Sequence, residues 1–227
     1  MSTSSILNAA SFVYSQIRRD SYFESILAVC VVVYNDIIST GIKLANDENL
    51  IRDEFLKYLQ DVHYKKNHEL NHLKFDKETT EKTGRADIRV LPTKSEYIDD
   101  DEYYLIECKR LGYSNSQSTS ATELNTEYVK NGICRFVSGY YSSYYGCNAM
   151  FGFLVSQVCV QTDIIDDINT KLNKDYVNAQ RQKVNANAKK QLTYDNFANG
   201  YPYSYISTHT HASGKDLVLY HLLFDFS

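Results

Sequence analysis

The chain has 227 residues, enough for one domain with a sizeable core, and a formal net charge of −4 at pH 7. That balance excludes a strongly basic protein held to nucleic acid by bulk charge, although it allows a local basic groove. Five scattered cysteines without CxxC spacing exclude a disulfide framework or a zinc ribbon and fit a reducing cytoplasm.

Residues 1–5 carry no basic stretch leading into an apolar core, so no secretory leader is expected. Residues 5–45 are expected to form two helices broken near Asp20 and Ser21, with Ile26, Val33 and Ile37 on one stripe. Their most apolar run, Ile26 to Tyr34, is short for a bilayer, and no membrane association is expected. A helix follows from Asp47 to Val62. At about 100° per residue, Ile51, Phe55, Leu59 and Val62 lie within about 60° of Glu48, so Glu48 shares the buried stripe. An inward-facing acid calls for a cation or hydrogen-bond donors.

His68 to Phe75 reads as a first strand and Asp76 to Thr83 as a polar turn. Arg85 to Leu91 is a second strand, and the polar span from Pro92 to Asp101 suits a hairpin-type connection to a third strand, 103–109. On that strand Tyr103, Leu105, Glu107 and Lys109 alternate onto one face, so the Glu107 carboxylate and the Lys109 ammonium project side by side about 6.5 to 7 Å apart. Antiparallel pairing of the two strands brings Asp87 opposite Glu107. Two converging carboxylates repel unless a cation lies between them, and hard oxygen ligands suit Mg²⁺ or Mn²⁺.

An Asp followed about 20 residues later by Glu-x-Lys on the next strand resembles the signature of the PD-(D/E)XK nucleases, the restriction-endonuclease-like superfamily. The residues here are Asp87, Glu107 and Lys109, with Ala86 where the motif's name has proline. The resemblance implies an α/β fold with an αβββαβ core, a mixed central sheet flanked by helices. It also implies a Mg²⁺-dependent phosphodiesterase in which Asp87 and Glu107 hold metal while Lys109 positions or activates water. Members of the superfamily often carry a further acid on the helix before the sheet, and Glu48 matches that place. The alternative for Asp87, Glu107 and Lys109 is a cross-strand salt bridge on an exposed sheet.

Beyond Arg110, the Ser-rich span Gly112 to Ser120 is expected to be a loop beside the site. A helix from Ala121 to about Tyr145 places Tyr128, Gly132, Arg135 and Gly139 on one face, so Arg135 can reach a phosphate or steady a site carboxylate. Arg110, Arg135 and Tyr128 are the candidate nucleic-acid contacts. Ala149 to Val158 reads as a buried strand, 161–192 as polar helices whose lysines form a solvated face, and Tyr203–His209 and Leu217–Phe226 as strands. The six histidines lack a common ligand spacing, although His209 could touch substrate near a sheet edge.

The expectation is one nuclease domain over 1–227, with N-terminal helices at 1–45, a PD-(D/E)XK core at 47–160, and C-terminal helices and strands at 161–227 as decorations. The expected activity is Mg²⁺-dependent endonucleolytic hydrolysis of DNA in the cytoplasm, in prokaryotic restriction or antiviral defence. A homodimer through the N-terminal helices or a defence-system partner subunit is compatible with that activity. The competing readings are a non-catalytic nucleic-acid-binding or assembly subunit, and RNA as the substrate.

Overall fold

The computed structural model describes residues 9–80, 84–93, 103–112, 121–141 and 146–227, with side chains from Asp20 onward and, in the fourth stretch, from Glu123. The expected loop at 113–120, most of the 92–101 connection and the tail of the helix beyond Tyr141 lie outside these residues.

The first helix, α1 (Ala9–Ser39), runs without the expected break at Asp20 and Ser21. Neither residue forbids helix, and the apolar spacing Phe23, Ile26, Leu27, Cys30, Val33, Ile37 carries one buried face through the region. The segment Asp20–Ser39 is long and apolar enough to cross a membrane by length and composition. In this fold its buried face packs on a sheet: the Phe23 ring stacks on Tyr104 with centroids 4.2 Å apart.

Helix α2 (Glu48–Gln60) starts where Asp47 accepts hydrogen bonds from the amides of Asn49 and Leu50 at 2.8 and 3.1 Å. Ile51, Phe55 and Leu59 are buried as expected. Val62 is 70% exposed, because Asp61 caps a new short helix, α3 (Val62–Asn67), and the stripe ends there.

Strand β1 (Leu73–Thr80) begins later than expected and takes in residues assigned above to a turn. It is an edge strand, so Lys74, Asp76 and Lys77 can stay polar without leaving the sheet. It pairs antiparallel with β2 (Arg85–Pro92), which pairs antiparallel with β3 (Tyr104–Leu111). Helix α4 (Ala121–Tyr128) passes through a π-turn, Val129–Ile133, into α5 (Cys134–Val137). The chain then enters β4 (Cys147–Leu154), all eight residues of which are buried.

A second π-turn, Val160–Ile165, leads into α6 (Asp166–Lys171). The remainder of 161–192 corrects the expectation of helices, since it contains the small hairpin β5 (Tyr176–Val177) and β6 (Lys183–Val184) and most of β7 (Ala188–Tyr194). Strands β8 (Ser204–Thr210) and β9 (Asp216–Asp225) match their expected positions.

Seven strands form one mixed sheet in the order β1-β2-β3-β4-β9-β8-β7, with β3–β4 and β4–β9 parallel and the other pairs antiparallel. The C-terminal strands are therefore structural members of the sheet and not decorations. One face carries α1 and α2 over Ile106, Phe151, Phe153 and Phe224, and the other carries α4, α5 and α6 over Leu105, Met150, Leu219 and Leu223. The architecture is an α/β sandwich of three layers.

Candidate active site

The site forms where β2 and β3 part. Their pairing ends at Ile88 opposite Ile106, and one further step of the same register sets Asp87 across from Glu107. Just beyond the last paired position, the Cys108 amide donates to Asp87 Oδ2 at 2.8 Å, so a side chain fills the place of a ladder carbonyl. On β3, Tyr104, Ile106 and Cys108 enter the α1/α2 side of the core while Leu105 enters the other side. Glu107 and Lys109 follow the Leu105 alternation, as expected.

Lys109 is the hub. Its Nζ lies 3.0 Å from Glu107 Oε1, 3.1 Å from Glu48 Oε1 and 3.9 Å from Asp87 Oδ2, and it also donates to the Cys108 carbonyl at 2.6 Å. Burial opposes the Lys109 charge, but Glu107, Glu48 and Asp87 together hold its pKa above the ordinary lysine value. Glu107 is 1% exposed. Burial pushes its carboxyl up to about 7, with Asp87 adding to the shift and Lys109 and Arg135 opposing it. The exposed salt-bridge alternative does not describe such a cluster, since Glu107 is buried, Lys109, Asp87 and Glu48 are partly buried around it, and each is shared among several partners.

Glu48 meets the requirement of an inward-facing acid. One oxygen takes Lys109 Nζ, and the other accepts the Arg110 backbone amide at 3.1 Å. The Arg110 side chain turns away to Asn46, donating to its carbonyl and its Oδ1 at 3.1 and 2.9 Å. Arg135 reaches the site as expected: its Nη1 donates to Glu107 Oε1 and to the Tyr141 hydroxyl, both at 2.9 Å. Tyr141 in turn lies 2.9 Å from Glu107 Oε2 and 3.0 Å from the Arg85 carbonyl, so its one proton is shared between two acceptors. The second expected glycine of this helix, Gly139, lies past its end at φ +73, where it turns the chain toward Tyr140 and Tyr141.

Two expected contacts are corrected. Tyr128 is wholly buried and its hydroxyl bonds His221 Nδ1 at 2.8 Å, so it offers nothing to a nucleic acid. His209, expected near substrate, is wholly buried too. Its Nδ1 lies 2.7 Å from the Ala186 carbonyl, which only accepts, so Nδ1 carries the proton and Nε2 accepts from the Ser207 hydroxyl at 2.7 Å. Ser207 must then accept from His221 Nε2, also at 2.7 Å, leaving His221 Nδ1 to accept from Tyr128. The whole chain runs one way, with both imidazoles neutral. Burial holds His209 down at about 4 and His221 well below the ordinary histidine range.

One residue escaped the sequence reading. Arg52 is 1% exposed. Its Nη1 donates to Asp87 Oδ1 at 3.0 Å and lies 3.3 Å from Glu78 Oε1, while its Nε and Nη2 hold Asp53 Oδ1 at 3.1 and 2.9 Å. Arg52 stands one helical turn after Glu48, on the same stripe, which is the signal that locates it. Glu78 faces Asp87 across β1 and β2 with φ +49, a left-handed backbone that bends its carboxylate toward Arg52 and Arg85.

Among the described residues, no group of three or more His, Cys, Asp or Glu stands ready to hold a metal ion. Glu48, Asp87 and Glu107 instead gather on one ammonium. Their chemistry nevertheless fits a hard divalent cation: the donors are carboxylate oxygens, and the Glu107 carboxyl, raised first by its burial and then by the neighbouring Asp87 charge, would be held ionised by an added cation. No family model, curated protein or solved structure matches this chain.

Proposed function

We propose that the chain is a Mg²⁺-dependent phosphodiesterase of the restriction-endonuclease-like kind that cuts DNA internally. The observation that carries this reading is the convergence of Glu48, Asp87 and Glu107 on Lys109 at the parted ends of β2 and β3. The order α2-β1-β2-β3-α4-β4, with an antiparallel β1-β2-β3 and β4 parallel beside β3, supports the αβββαβ core that the motif implies.

Asp87 and Glu107 would hold the metal, with Glu48 at its margin. Bound there, the ion would lower the pKa of a water molecule and offset charge building on the phosphate. Lys109, kept protonated by its carboxylates, serves as a donor that orients water or phosphate oxygen and not as the base. Arg52 fixes the Asp87 carboxylate, and Arg135 with Tyr141 fixes that of Glu107. A pre-set carboxylate geometry limits the reorganisation needed during reaction.

One observation favours a non-catalytic binding subunit instead: every oxygen of Asp87 and Glu107 already has a protein donor. Against it, a buried carboxyl titrating at about 7 is a poor stabilising element. The test is incubation of supercoiled plasmid, linear duplex, single-stranded DNA and RNA with Mg²⁺, Mn²⁺ or EDTA, using wild type, Asp87→Ala and Lys109→Ala. Metal-dependent cutting lost in both variants supports the enzyme, and the substrate cut decides between DNA and RNA. Cutting retained in both variants refutes the site. A role in restriction or phage defence rests on the resemblance alone and is given up if phage plating does not change in cells carrying the gene. A monomer in gel filtration at micromolar concentration, with and without DNA, removes the homodimer.

A further inference from the structure

Behind the carboxylate cluster lies a recess that the proposed chemistry does not use. Lys130, Asn131, Arg135 and Tyr140 line it from the α4–α5 side, and Asn178 and Gln180 line it from the turn of the β5–β6 hairpin. Two cations and several amides face it, and none of its lining residues is a carboxylate. That is a local departure from a chain whose net charge is −4.

Three features make the recess a built one. First, Arg135 joins it to the cluster. Its Nη1 is taken by Glu107 and Tyr141, while Nε and Nη2 have no hydrogen bond among the described residues. Second, Lys130 has no ion pair among the described residues and sits inside the π-turn Val129–Ile133. Such turns interrupt the regular ladder and recur at functional sites. Third, the opposing wall is stiff. Asn178 Oδ1 accepts from the Gln182 amide at 2.8 Å, Asn178 Nδ2 bonds Gln182 Oε1 at 3.0 Å, and the Asn178 amide bonds the Gln182 carbonyl at 3.0 Å.

We infer that this recess is a phosphate subsite for the nucleic-acid strand whose neighbouring phosphodiester is presented to Glu107 and Lys109. A free guanidinium edge and an ammonium suit phosphate oxygens, and the Gln180 amide adds a neutral donor, while Asn131 and Asn178 are held in place by Glu127 and Gln182. Contacts of this type fix register without reading sequence. The inference rests on the nuclease reading, since Arg135 serves both places.

The test is fluorescence anisotropy of a fluorescein-labelled 20-mer, as duplex and as single strand, in EDTA so that nothing is cut. Wild type is compared with Lys130→Gln, Lys130→Arg and, as a control on an exposed position of α2, Lys57→Gln. Each phosphate contact contributes a log–log salt slope of about 0.7 to 0.9. Lys130→Gln should therefore bind about five- to eightfold more weakly at 0.1 M salt and lose about one unit of slope. Lys130→Arg should restore both, and Lys57→Gln should change neither. An unchanged affinity and slope in Lys130→Gln overturns the subsite, as does a wild type that binds neither strand form. The nuclease reading is judged separately by Mg²⁺-dependent plasmid cutting in the wild type and in Lys57→Gln, neither of which alters the subsite.

Discussion

Replacing Arg52 with methionine, which keeps an unbranched chain of similar length, asks what the buried guanidinium does. The substitution strands Asp87, Asp53 and Glu78, whose side chains are 15%, 34% and 30% exposed. Removing one partner of a buried ion pair costs about 3 to 5 kcal/mol. Because solvent reaches Asp53 and Glu78, and Lys77 and Arg85 also serve them, the low end applies, about 3 kcal/mol. For a chain of this size that lowers the melting temperature by about 6 to 12 °C. The assay is thermal unfolding by circular dichroism for wild type, Arg52→Met, Asp87→Asn and the double variant. Asp87→Asn should lessen the penalty of Arg52→Met, giving a coupling of at least about 1 kcal/mol. Millimolar Mg²⁺ should also raise the melting temperature of Arg52→Met more than that of wild type, because the released carboxylates can then share the added cation. A loss below about 1 kcal/mol, or additivity within about 0.5 kcal/mol, would refute the view that Arg52 holds Asp87 in place.

Three further outcomes are expected. The folded His209 pKa of about 4 lies below the ordinary unfolded value near 6.5, so its stabilisation is complete above about pH 6.5 and is lost as pH falls toward 4. Urea titrations across that window should show stability falling by up to about 1.4 kcal/mol per pH unit for each such histidine, and His209→Gln should flatten the curve. An unaltered slope in that variant argues against the buried chain. Gly84→Ala places a methyl group 1.9 Å from Tyr140 Cε1, so Tyr140 must move from beneath Arg135. A loss of about 1 to 3 kcal/mol in thermal unfolding should follow, and a neutral substitution would contradict the packing. Only Cys159 is exposed, and hydrogen bonding to Thr162 lowers its pKa. A thiol reagent should modify one cysteine rapidly in the folded protein and the other four only on unfolding; two rapid sites would contradict the described burial of Cys30, Cys108, Cys134 and Cys147.

The parts legible in the sequence are those with strong local periodicity. Glu107 and Lys109 follow from alternation along β3, and Glu48 from the α2 stripe, because each pattern fixes a direction with few competing solutions. Asp87 requires a register as well, which comes from the antiparallel pairing of β2 with β3, one step past Ile88 and Ile106. Arg52 was missed because charge on a buried stripe reads as an exception, although an inward acid at Glu48 already implied that the stripe tolerated charge. Tyr128 was misplaced because an aromatic beside glycines resembles a binding face, while its actual partner, His221, comes from a strand 93 residues away. The polar Lys, Asn and Gln content of the β5–β7 region points to helix, yet β7 at the edge of the large sheet and the separate two-stranded hairpin β5–β6 need little apolar alternation.

The position of β9 bears on how the molecule acquires its structure. Among the described residues this strand comes after every other strand of the sheet, yet it lies inside the sheet, hydrogen-bonded to β4 on one side and β8 on the other. While the chain is being synthesised, β4 therefore has one unpaired edge and eight apolar-rich residues to shelter until 216–225 emerge from the ribosome. The carboxylate cluster on the adjacent β3 depends on that late insertion for its support. Pairing so distant in sequence closes slowly, and it joins the two halves of the sheet into a single cooperative unit.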